Sequence, residues 1–302
     1  MKRMYGVNTP ISCPMTENGK VDYDSLKSLC NFLIEKGVDG LYPNGSTGEM
    51  SYLTLEERKR ILKCVLETNN GRKQVFSMVG AQTTKDTIEL ARHAEAAGAD
   101  GIGVVTPSYF KLDKEELLSY YQDISASVSE DFSIYLYGIS QLAVNDITPE
   151  LAERIAQSCP NVAGIKYSYP DMPRLLQFLN VRGGDFSVLA GPDDLFFSLL
   201  ASGGDGTISG NSNVIPEHFV AIYQAFQAGD YDKARRLQAK TNRLITYISG
   251  PNNMSRYKIG LKERGVIKCS AVRKPLRDLT PEEEHNYLEQ IKSMDYLDIT
   301  KF

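Results

Sequence analysis

The feature of this 302-residue chain that most limits its fold is a steady alternation of short apolar runs with longer amphipathic stretches. The apolar runs end near Pro10, Pro43, Gly80, Pro107, Tyr137, Lys166, Ala190 and Ile208. A polar or glycine-bearing loop follows each, and then a helical pattern. Eight such units within about 225 residues predict parallel strands closed into a (β/α)8 TIM barrel, with helices covering the sheet's outer face. An open doubly wound sheet is the rival. It is weakened because no GxGxxG follows the first run and the units are evenly spaced.

Local signals agree with this reading. Thr54 with Glu57, and Asp113 with Glu116, place a capping side chain three residues before a glutamate, which satisfies the free N–H groups of a first helical turn. Thr148-Pro149 and Thr280-Pro281 put a cap before proline at the first helical position. The stretches EAAGADG and LLASGGDG offer glycines for closing a helix in the left-handed conformation. Residues 1–228 are expected to form the barrel. Residues 229–302 carry no strand pattern and are expected to form a C-terminal helical region. There, Ala234, Leu237, Thr241, Leu244, Ile245 and Ile248 share one helical face, and further helices are expected around 252–264 and 281–293.

Composition excludes several classes. A net charge of -4 and an isoelectric point near 5.6 argue against a nucleic-acid partner. No apolar stretch approaches the roughly 18 residues of a membrane span, and the N-terminus lacks the continuous apolar core of a signal peptide. Cys13, Cys30, Cys64, Cys159 and Cys269 are scattered and show no CxxC spacing, which fits reduced thiols in a cytoplasm and suggests neither disulfides nor zinc. His93, His218 and His285 fall far apart in apparent helices. No metal and no cofactor are expected, so chemistry falls to Lys, Tyr, Ser, Thr or carboxylates.

In a barrel of this kind the chemistry lies at the C-terminal ends of the strands. The second run leads into Ser46 and Thr47 with glycines on both sides, a loop suited to a carboxylate or phosphate, or simply a glycine-rich turn. Tyr109 follows the fourth run, Tyr137 ends the fifth and Lys166 ends the sixth. Alone, a rim tyrosine is a core aromatic and a rim lysine is solvated. Together they suggest imine chemistry: a neutral lysine condenses with a ketone, and the cationic imine draws electrons from the neighbouring carbon. A phenol can then move protons, with a Ser or Thr hydroxyl as relay.

GSTGE at 45–49, VTPSYFK at 105–111, Tyr137 after SIYL, GIKYS at 164–168, GPDD at 191–194 and GGDGTISGNSNVIPE at 203–217 occur in order along the chain. Together they resemble the N-acetylneuraminate lyase and dihydrodipicolinate synthase family of pyruvate-dependent class I aldolases. The resemblance implies that Lys166 forms the imine, Tyr137 passes protons, Ser46 relays them, and Thr47 helps hold the pyruvate carboxylate. It implies that Tyr109 reaches into a neighbouring subunit of a homotetramer. Ser168 matches a hydroxyl near the bond being broken. Asp193 and Asp194, with Gly191 of the same motif, match substrate-binding positions. The structural alternative for Asp193 and Asp194 is an acidic pair at a helix N-terminus.

Two departures bear on the branch. The chain reads Tyr137-Gly138-Ile139-Ser140 where the family usually continues Tyr-Asn-Ile/Val-Pro. The loop Gln141-Leu142-Ala143-Val144-Asn145 also lacks the arginine that clamps the second substrate's carboxylate in the synthases, a role leucine does not fill. Leu142 resembles the lyase and sugar-acid aldolase branch. The expected partners are pyruvate and a small aldehyde or sugar acid. A synthase condensing pyruvate with aspartate semialdehyde, a sugar-acid dehydratase, and a 2-oxo acid binding protein without turnover remain the other readings.

Overall fold

Helix starts in this chain are fixed by short-range hydrogen bonds. In the computed structural model, which describes residues 1–300, Thr54 and Asp113 each accept from the backbone N–H three residues on, and Glu57 and Glu116 return the bond. Thr280 and Glu283 form a third such box, with Pro281 at the first helical position. Gly98 and Gly203, at φ +85° and +98°, follow the helices that end there, as the two glycine-bearing exits lead one to expect.

The eight strands are β1 (Gly6–Pro10), β2 (Gly40–Tyr42), β3 (Gln74–Met78), β4 (Gly101–Val105), β5 (Ser133–Gly138), β6 (Val162–Tyr167), β7 (Ser187–Ala190) and β8 (Gly206–Ile208). They follow one another in chain order around a closed barrel. Neighbouring strands pair in parallel, as crossover connections require. Between and after the strands come α1 (Tyr23–Glu35), α2 (Leu55–Asn69), α3 (Thr84–Ala96), α4 (Lys114–Ser125), α5 (Ser140–Ala143), α6 (Pro149–Ser158), α7 (Met172–Phe178), α8 (Phe196–Ala201) and α9 (Pro216–Gln227). The C-terminal region adds α10 (Tyr231–Ile248), α11 (Asn253–Glu263) and α12 (Pro281–Ser293).

The chain divides into two compact units. One comprises Met1–Tyr5 and Gln74–Ile208; the other comprises Gly6–Lys73 and Ser209–Phe302. The first carries β3 to β8. Its strands are buried almost throughout, as expected where helices cover a parallel sheet. Phe76 and Tyr135 pack edge to face at 5.5 Å, and the Tyr135 hydroxyl accepts from the Met4 N–H. The second unit carries β1, β2, α1, α2 and the C-terminal helices. On α10, Ala234, Leu237, Thr241, Leu244 and Ile248 are buried, while Ile245 is only half-buried at the edge of that face.

Candidate functional site

In the first unit the register does the aligning. Tyr137 on β5 lies directly opposite Lys166 on β6, and Lys166 lies opposite Leu189 on β7. Both side chains are buried: Lys166 is 6% exposed and Tyr137 2%. The lysine amine sits over the tyrosine ring, 4.1 Å from its centroid. A lysine this buried is not the solvated rim lysine of the bland reading.

Beyond Lys166 the chain bends without leaving the site. Ser168 donates its backbone N–H to the Gly138 carbonyl, and Gly191 donates to the Tyr167 carbonyl. Gly191 lies flat against Ser168; any Cβ at 191 would overlap the serine's Oγ and Cβ. The structure therefore brings Ser168 and Gly191 together. Asp193 and Asp194 open a short 3-10 turn ahead of α8 but part company: Asp193 is buried at 8% exposure and Asp194 faces solvent.

The loop after β4 is pinned by Asn145. Its side-chain amide donates to the Pro107 and Phe110 carbonyls, both at 2.8 Å, and its Oδ1 accepts from the Leu112 N–H. Thr106 closes the ring by donating its hydroxyl to the Asn145 carbonyl. Held this way, Tyr109 takes a left-handed backbone at φ +79° and is 82% exposed, stacked edge to face on Phe110. Leu142, on α5, is also exposed. Next to these, Arg174 pairs with Asp146 and reaches the Tyr167 hydroxyl at 3.2 Å. Burial, and then the Asp146 carboxylate, push that phenol above its ordinary value.

In the second unit, Ser46 and Thr47 start a 3-10 turn straight after β2; Thr47 is buried and Ser46 half-buried. Glu49, the last residue of GSTGE, has a left-handed backbone at φ +60°. Its carboxylate pairs with Lys258 of α11, with both side chains fully buried. Its other oxygen accepts from the Arg273 N–H at 2.8 Å. Cys13 lies close by, and burial pushes its thiol up to about 12, which leaves it an inert neutral neighbour. Sequence reading passed over Glu49, Tyr257 and Lys258. The available signal was a lysine in NMSRYKIGL among residues of the apolar side of a helix.

The chain matches the model of the dihydrodipicolinate synthetase family over residues 3–294. It is 37% identical over 232 residues to the putative 2-dehydro-3-deoxy-D-gluconate aldolase YagE of Escherichia coli K12, covering 76% of each chain. It is 34% identical to the N-acetylneuraminate lyase of Mediterraneibacter gnavus, covering 88% of this chain and 85% of that one. Among solved structures, YagE in complex with pyruvate superposes with a TM-score of 0.92 at 31% identity, covering 97% and 99% of the two chains. The fold and the family define a class I, pyruvate-dependent aldolase or lyase. The chain belongs to the dihydrodipicolinate synthetase family.

Proposed function

We propose that this enzyme reversibly cleaves a 2-keto-3-deoxy sugar acid, or a related 2-oxo acid, to pyruvate and an aldehyde through an imine on Lys166. The observation that carries the reading is the buried Lys166 amine set over the Tyr137 ring at matching register. The amine attacks the C2 carbonyl and water leaves, giving a cationic imine. The C4 hydroxyl then loses its proton to Tyr137, the C3–C4 bond breaks, and its electrons pass into the imine as an enamine. Protonation at C3 and hydrolysis release pyruvate and restore the lysine. Ser46 is read as the proton relay, and Thr47 as the residue that takes the pyruvate carboxylate. Ser168, Gly191, Asp193 and Asp194 line the path of the polyhydroxylated tail.

The sugar-acid branch is favoured because residues 138–145 contain no Arg or Lys to clamp a second carboxylate, and Leu142 stands exposed there. The family and the relatives span synthase, aldolase and lyase, so kinship alone does not choose among them. Residues 1–228 are read as the catalytic barrel and 229–302 as its helical extension. Exposed Tyr109 and Phe110, beside an open groove of about 920 Å³, support a homotetramer in which Tyr109 enters a neighbour's site. No described helix is long and apolar enough to cross a membrane; five free thiols, four of them buried, support a cytoplasmic setting. Cleavage assays on a panel of 2-keto-3-deoxy sugar acids and sialic acid, with aspartate semialdehyde condensation alongside, test the reading. Turnover only in the condensation would overturn the branch.

A further inference from the structure

We propose that α11 is a positioning element for the reaction. Lys258 acts through Glu49, and Tyr257 acts beside Thr47, to fix the 45–49 loop. This inference rests on the reading that the loop takes the pyruvate carboxylate.

The starting point is an ion pair that stability alone does not call for. Glu49 and Lys258 are both completely withdrawn from solvent. Burying two charges costs more in lost hydration than their attraction commonly returns, and an apolar pair of equal volume is often at least as stable. What a buried pair does give is direction. Here it is directed at a backbone that needs holding: Glu49 is left-handed without being glycine, a conformation that persists only where its surroundings enforce it.

The enforcement comes from several sides. Lys258 donates to the Ala271 carbonyl at 2.8 Å, and the Arg273 N–H donates to the second Glu49 oxygen. The Arg273 guanidinium forks onto Glu57 at 2.7 and 2.8 Å and donates to the Tyr52 and Gly19 carbonyls, each at 2.7 Å. The residues on both sides of the loop's end are thus tied to one C-terminal segment.

The residue before Lys258 lies beside Gly210, which also borders the other end of the same short turn. A Cβ built on Gly210 would lie 3.1 Å from the Tyr257 hydroxyl oxygen and 3.4 Å from the Thr47 hydroxyl oxygen. Both hydroxyls thus border Gly210, where even a methyl group would press on the Tyr257 hydroxyl. Ser249 stands 3.3 Å from the Tyr257 hydroxyl and donates to the Asn211 side chain at 2.9 Å. Consecutive residues on a helix point about 100° apart, so Tyr257 and Lys258 leave α11 in different directions, one towards Gly210 and one onto Glu49. A displacement of about 1 Å in a group that orients substrate is enough to cost binding or rate.

The test is the pyruvate concentration giving half-maximal borohydride-trapped adduct on Lys166, measured for the wild-type protein, Lys258→Met and Tyr257→Phe. A purely structural role lowers the amount of folded protein and hence the amplitude, but leaves the midpoint where it was. We expect the midpoint to rise about tenfold or more in Lys258→Met, and about threefold or more in Tyr257→Phe, where one hydroxyl is lost. The maximum adduct yield of Tyr257→Phe should match wild type. Wild-type midpoints in the folded variants would overturn the proposal. If Lys258→Met fails to fold, the midpoint of Tyr257→Phe decides alone. Absence of any adduct in the wild-type protein is a separate outcome: it overturns the imine reading, and this inference with it.

Discussion

The Lys166 amine rests 4.1 Å from the centre of the Tyr137 ring, across the β5–β6 pair and at the same register. A ring face attracts a cation by about 0.5–2 kcal/mol, depending on how far water is excluded. Tyr137→Phe preserves the ring and removes only the phenol. We expect borohydride trapping of pyruvate to survive in this variant while cleavage falls by about 10²- to 10⁴-fold. Equal turnover in the two proteins would remove Tyr137 from proton transfer.

Leu142 is the side chain we hold responsible for the branch. Leu142→Arg places a guanidinium where the synthases of this family carry one. A guanidinium there favours a second carboxylate over a neutral polyol tail. Sugar-acid cleavage should fall about tenfold or more in kcat/KM, and a measurable condensation with aspartate semialdehyde should emerge. Unchanged specificity would show that the aldehyde does not pass residue 142.

The contact of Gly191 with Ser168 leaves no space for a methyl group. Gly191→Ala should therefore push the Ser168 turn away, at a cost of about 1–3 kcal/mol in unfolding free energy. Denaturant titration measures that cost. The KM for the sugar acid should rise in the same variant, whereas loss of stability with an unaltered KM would place the contact outside the substrate path.

Acid should weaken the protein in two stages. Burial pushes His218 below its ordinary value of 6.5. The unfolded chain then binds this proton first, and stability starts to fall as pH drops below about 6.5. For Glu217, burial alone would raise the carboxyl, but the Arg264 fork and then Lys36 outweigh it and bring it from 4.5 to about 2. Its contribution is complete above pH 4.5 and is lost as pH falls from there towards 2. Allowing for the part-exposed setting, it is on the order of 1–2 kcal/mol. Urea titrations across pH should show the second loss in wild type and a flatter profile in Glu217→Gln. Parallel profiles would contradict the assignment.

What the sequence made legible was local. Strand ends such as Tyr137 and Lys166, and caps such as Thr54 and Asp113, depend on residues within a turn of one another, so pattern alone places them. The register that sets Tyr137 opposite Lys166 follows from adjacent strands in a barrel. The Glu49–Lys258 pair was not legible as a pair, because its partners lie far apart in the chain and only the apolar neighbours of Lys258 hint at burial. Nor was the split between buried Asp193 and exposed Asp194, which is decided by the direction in which one short turn leaves its strand. Asn145, read only as one position of a loop lacking arginine, proves to hold the segment that bears Tyr109.

The central claim is that Lys166 becomes covalently bound to its substrate. Intact-protein and peptide mass spectrometry after pyruvate and borohydride, beside Lys166→Ala, tests it most directly. The account predicts a reduced pyruvyl adduct on the peptide bearing Lys166, absent from the folded variant. Well-folded wild-type protein with no adduct, or an adduct that persists in Lys166→Ala, would contradict it.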